Sequence, residues 1–126
     1  MDEEKRRERA HAVIDRMRGD RGFMLAEWEW GAERDPAYFE AYSHMAPVTF
    51  ASGEALQAKT RELIHIALLC FRMAPVDAIQ THMRRAMRNG ASELEIQEAL
   101  ETASVAGGMP TLHYGLRALM GLGIEG

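Results

Sequence analysis

Apolar residues return along this chain at the spacing of a helix face, and no stretch alternates with period two for long enough to predict a strand. Ala10, Val13, Ile14 and Met17 stand at i, i+3, i+4 and i+7 inside a heavily charged stretch, predicting an amphipathic helix that ends near Gly19. A short helix carrying Trp28 and Trp30 is predicted over 23–32. Asp35-Pro36 has the chemistry of an N-cap followed by a first-turn proline, opening a helix with Phe39, Tyr42 and Met45 as its stripe until Ser52-Gly53 breaks the chain.

The next helix, over 57–73, is apolar nearly all round after His65, from Ile66 to Phe71. A helix of that kind is expected to be buried on most sides and to form the spine of the fold. Pro75 opens a further helix with Val76, Ile79, Met83 and Met87 at helical spacing, closed by Asn89-Gly90. Ser92 and Glu95 have the spacing of a capping box, ahead of Ile96, Ala99, Leu100 and Ala103 as an inward face, and Gly107-Gly108 ends that helix. Pro110 starts the last one, striped by Leu112, Leu116 and Leu119. The expected architecture is all-α, with six to seven helices in a single domain spanning 1–126.

Composition narrows the function classes. With 47% apolar and 27% charged residues the chain reads as globular, not disordered. A net charge of −4 gives no footprint for nucleic acid. The basic run Lys5-Arg6-Arg7 is interleaved with Glu3, Glu4 and Glu8, so it reads as a solvated helix face. The charged start lacks the apolar core of a signal peptide, and the longest apolar run is too short to span a bilayer. The single cysteine forms no internal disulfide. Together these give the expectation of a soluble cytoplasmic protein with no nucleic-acid or membrane partner.

Candidate chemistry lies where polar groups intrude on apolar surface. Arg61, Glu62 and His65 occupy the first turns of the central helix, at spacings that let all three meet on one side. They read either as an ion-paired helix start or as part of a site. Cys70 shares a stripe with Leu63, Ile66 and Ala67 and reads as a small buried hydrophobe of suppressed reactivity. His82, between Ala78 and Ala86, is either a structural histidine or a functional one. His65, His82 and His113 could converge on a metal, although none has the close spacing of a zinc motif. No phosphate-binding glycine loop or nucleophile elbow is present.

The ordered set LQAKTRELIHIALL (56–69), His82 in THMRRAMRNGASELEIQEAL (81–100) and AGGMP (106–110) resembles the carboxymuconolactone decarboxylase family, which also contains the alkylhydroperoxidase D-like proteins. The residues that carry the resemblance are Leu56, Lys59, Arg61, Glu62 and Leu63, then His82 and Ala86, then Gly90, Ser92, Glu95, Ile96 and Glu98, and finally Gly108 with Pro110. It covers about residues 53–118, leaving 1–52 as a helical N-terminal extension. It implies an alkylhydroperoxidase D-like helical subunit assembling as a homo-oligomer, a trimer or hexamer, with sites near subunit contacts.

In the redox branch of the family a Cys-x-x-Cys precedes the histidine. The corresponding positions here are Pro75 and Ala78, so dithiol peroxide reduction is not expected. In the decarboxylase branch no cysteine is required. The resemblance then implies a cofactor-free lyase acting on a small carboxylated lactone of the 4-carboxymuconolactone type, in the setting of aromatic-compound degradation. Arg61 would hold a carboxylate, His82 would return a proton to carbon, Glu62 would orient its neighbour, and His65 would contact substrate. Two departures alter the pocket wall: a gap from Glu62 to His82 about one residue longer than usual, and Ala106 where an aromatic is frequent. The alternatives are a non-catalytic oligomeric binding or accessory protein of the same fold, and a metal-dependent enzyme using His82.

Overall fold

The structure, a computed structural model, describes residues 2–22 and 24–125. Among the described residues there are seven helices and no strand. The chain divides into two compact units, Met1–Thr49 and Phe50–Gly126.

In the first unit, α1 (Glu3–Arg21) begins where Asp2 accepts a hydrogen bond from the Lys5 N–H at 2.9 Å, with Glu3 and Glu4 placed well for the helix dipole. It passes through Gly19 and stops two residues beyond the sequence expectation, because the left-handed turn that ends it falls on Gly22, at φ +82°. Leu25 is extended, so α2 (Ala26–Arg34) starts later than predicted and also ends later. Phe23, at which that helix was expected to begin, lies outside the described residues. α3 (Pro36–Phe50) starts at the proline, as the Asp35-Pro36 pair predicts. Val13, Ile14, Met17 and Ala32 form the buried core, with Trp28, Phe39 and Tyr42 against them. Arg21 lies over the Trp28 ring at 4.2 Å.

In the second unit, α4 (Ala58–Phe71) packs against α5 (Val76–Arg88), α6 (Glu93–Gly107) and α7 (Met109–Glu125). Ile66, Leu69, Cys70, Ile79, Met83, Ile96 and Leu100 fill the space among them. The predicted capping box is complete: the Glu95 N–H donates to Ser92 Oγ at 3.0 Å and the Ser92 N–H to Glu95 Oε1 at 3.1 Å. α6 and α7 approach so closely that a Cβ on Gly115 would stand 2.6 and 2.7 Å from the two Cδ atoms of Leu100.

α4 is the spine of this unit but is not buried on most sides, as its apolar sequence suggested. Ile64, Leu68 and Phe71, at i, i+4 and i+7, are 49%, 57% and 57% exposed. The other helices of the unit cover the opposite faces of α4 and leave this stripe about half exposed, with Phe71 reaching Gly107 of α6. Beside it runs an apolar groove of about 250 Å³ lined by Ala67, Leu68, Phe71, Ala103, Ala106 and Gly107.

Candidate functional site

The hairpin of α4 and α5 carries the site. Glu62 sits one turn into α4 and is fully buried, while His82 sits midway along α5 and is 8% exposed. Each belongs to the inward stripe of its helix: Glu62 precedes Ile66, Leu69 and Cys70, and His82 falls between Ile79 and Ala86. Packing those stripes together presses the carboxylate against the imidazole, with Nδ1 to Oε1 at 2.5 Å. A buried carboxylate is costly unless charge and hydrogen bonds compensate it, so this contact fixes both side chains. With Nδ1 committed to Glu62, the other ring nitrogen, Nε2, makes no hydrogen bond within the described residues.

Two aromatic rings close around His82. His65, one turn after Glu62, has its ring centroid 4.3 Å from that of His82. Phe50, the last residue of α3 and the first of the second unit, lies 4.8 Å from the His65 ring and 5.2 Å from the His82 ring. Burial, then the charge His82 carries when protonated, lowers the His65 pKa from its ordinary 6.5 to about 4. His65 is therefore a neutral imidazole at physiological pH, with one N–H to donate.

Glu62 retains an unmatched atom. Its Oε2 is buried without a hydrogen-bond donor among the described residues. The nearby cation is Arg85, whose Nη1 stands 3.9 Å away, too far for a hydrogen bond.

The structure thus brings Glu62, His65 and His82 together, while Arg61 is held by the segment before α4. The Arg61 guanidinium donates to the Ala51 carbonyl at 3.1 Å and occupies the space that a Cβ on Gly53 would need. Although Arg61 stands at i,i+4 to His65, its guanidinium reaches back to the segment before α4, to Ala51 and Gly53. The sequence reading also left out Arg85 and Phe50. Arg85 carried a usable signal, since it lies three residues after His82 on one helix face. Phe50 comes from a distant element and carried none.

Other candidates fall outside the cluster. Cys70 is fully buried, and burial pushes its thiol up to about 11. His113 is exposed on α7, and the Tyr114 hydroxyl donates to the Ala74 carbonyl at 2.7 Å. His44 pairs with Arg16 in the first unit. Among the described residues no three His, Cys, Asp or Glu side chains are grouped so as to hold a metal ion, and His113 does not join His65 and His82.

The family model for the carboxymuconolactone decarboxylase family covers residues 36–120, about two thirds of the chain. The chain belongs to that family. Its structure is similar to the crystal structure of a protein from Burkholderia xenovorans LB400 that carries the provisional name carboxymuconolactone decarboxylase. The TM-score is 0.73 and the identity 28%, over 90% of this chain and 87% of that one. No curated protein matches the chain. No helix among the described residues is long and apolar enough to cross a membrane.

Proposed function

We propose that this chain is a cofactor-free decarboxylase acting on a small carboxylated lactone of the 4-carboxymuconolactone type. The observation that carries the reading is the Glu62–His82 pair at 2.5 Å, with Nε2 of the imidazole left unbonded. In the proposed reaction the bond from the ring carbon to the departing carboxylate breaks, and carbon dioxide leaves. The bonding electrons pass into the conjugated lactone carbonyl as a dienolate. His82 then delivers the Nε2 proton to carbon, ending as the Nδ1–H tautomer held by Glu62. Glu62 is the counter-charge while the ring carries both protons. His65, uncharged at neutral pH, supplies an N–H for the developing dienolate oxygen. Pro75 and Ala78, standing where the redox branch has its two cysteines, argue against thiol peroxidase activity.

The working enzyme in this reading is a cytoplasmic homo-oligomer whose subunit is one functional domain, with a second copy covering the stripe of Ile64, Leu68 and Phe71. Residues that large are rarely left exposed together on one helix face. Leu68→Glu is expected to shift the wild-type oligomer toward smaller species in light scattering.

The deciding assay is carbon dioxide release from 4-carboxymuconolactone generated in place. His82→Asn is the informative variant, because its amide can still donate to Glu62 where Nδ1 does, while the Nε2 proton is gone. Loss of turnover on an intact fold is expected. Undiminished turnover would remove His82 from the mechanism. Binding of the lactone by wild type without carbon dioxide release would favour the non-catalytic binding protein instead.

A further inference from the structure

The most unusual cation of the second unit is Arg85. Its side chain is 20% exposed, and its guanidinium lies 5.2 Å from the centroid of the Phe50 ring. A guanidinium has five N–H donors, and none of those on Arg85 makes a hydrogen bond within the described residues. Arg9 shows the contrast: it meets Glu40 through two bonds, at 2.8 and 2.7 Å. If neutralising Glu62 were the whole task of Arg85, the same fork could form with Oε2, which itself lacks a donor. Instead the two groups face each other across 3.9 Å, each short of a partner.

Arg85 also lies one turn beyond His82 on α5, so a ligand group held by its fork is carried beside the imidazole. A planar two-pronged donor in a largely water-excluded position is built for a carboxylate. A lactone of the proposed type carries two carboxylates, one lost and one kept. A cation that gripped the departing group would stabilise the ground state more than the charge-dispersed transition state, and so oppose the reaction.

We propose that Arg85, not Arg61, binds the substrate, and that it takes the carboxylate the substrate keeps. The ligand class rests on the decarboxylase reading, whereas the anion preference stands on the geometry of Arg85. Binding of (5-oxotetrahydrofuran-2-yl)acetate and of its methyl ester, measured by calorimetry, tests it. Wild type is expected to hold the anion roughly tenfold to a hundredfold more tightly than the ester. Arg85→Gln should bring the two to equal affinity, and Arg85→Lys should retain part of the difference. In turnover, Arg85→Gln should raise KM with little change in kcat, the signature of binding shared by ground and transition states.

A wild type that binds neither probe or does not discriminate between them overturns the assignment. So does an Arg85→Gln protein that still discriminates, or one that weakens both probes equally, as a mere counter-ion to Glu62 would. Should Arg85→Gln fail to fold, Arg85→Lys decides, and unreduced discrimination there is the refuting result. Anion preference without carbon dioxide release would sink the decarboxylase reading alone. Carbon dioxide release with an unchanged KM in the variant would sink only the role of Arg85.

Discussion

The Glu62–His82 contact makes a thermodynamic claim that can be tested without any substrate. Glu62 is fully buried, one of its oxygens already lacks a donor, and the other depends on the imidazole. His82→Ala therefore strands a carboxylate in the core with only Arg85, 3.9 Å away, to offset it. Removing one partner of a buried ion pair typically costs about 3–5 kcal/mol. Replacing both partners by apolar groups of similar size is often close to neutral. Glu62→Leu combined with His82→Phe should accordingly lie within about 1 kcal/mol of wild type, although His82→Phe alone, which strands the carboxylate just as His82→Ala does, loses about 3 kcal/mol or more and Glu62→Leu alone gains nothing. That is a coupling of about 2 kcal/mol or more, well above the few tenths by which independent sites depart from additivity. Urea unfolding at fixed protein concentration gives the numbers from midpoints, provided the slope is unchanged among variants. Additive effects, or a His82→Ala protein within about 1 kcal/mol of wild type, would show that the pair is solvated and that the site built on it is misread.

Three further outcomes follow from the same geometry. The His65 pKa is depressed, so between about pH 6.5 and pH 4 the unfolded chain binds a proton that the folded chain does not. Stability is complete above that window and falls as pH drops through it. The loss is about 1–2 kcal/mol once the partial solvent exposure of the ring is allowed for, and His65→Leu should flatten the slope in thermal scans at graded pH. Cys70, buried with its thiol pushed up to about 11, should resist iodoacetamide in native protein at pH 8 and react on unfolding, and rapid native labelling would contradict its burial. Gly115→Ala should destabilise by about 1–3 kcal/mol despite the better helix propensity of alanine, since its Cβ would meet both Cδ atoms of fully buried Leu100 within 2.7 Å; a raised melting temperature would refute the close approach.

Much of the fold was legible because the signals are local. The stripe Val13–Ile14–Met17, the Asp35-Pro36 start, the capping box at Ser92 and the Gly107-Gly108 stop are all written within one or two turns, and the helices form where those signals stand. Boundaries slipped where two breakers competed, as when Gly22 and not Gly19 ended α1. Part of the site was legible too, since Glu62 and His65 share a helix face and His82 is a histidine among apolar neighbours. The direction of the Arg61 side chain was not, because it depends on a loop carbonyl at Ala51 and on the bare backbone of Gly53. Phe50 was invisible for a similar reason: only tertiary folding lays its ring against His65 and His82. The apolar run after His65 predicts burial on most sides, which only part of the helix reaches. The residues are apolar nearly all round, but Leu68 and Phe71 on one face stay about half exposed.

Glu62, His65, His82 and Arg85 all lie on α4 and α5, joined by one short turn. The ionisable groups of the site therefore travel as a sequence-local cassette. Their mutual geometry needs only the closure of one helical hairpin, among the earliest contacts a folding chain can form. The walls around that cassette come from elsewhere, Phe50 among them, and can change by substitution without disturbing the proton-handling pair. A lineage that keeps the hairpin and varies its surroundings can change which molecule is admitted while leaving the imidazole and its carboxylate in register.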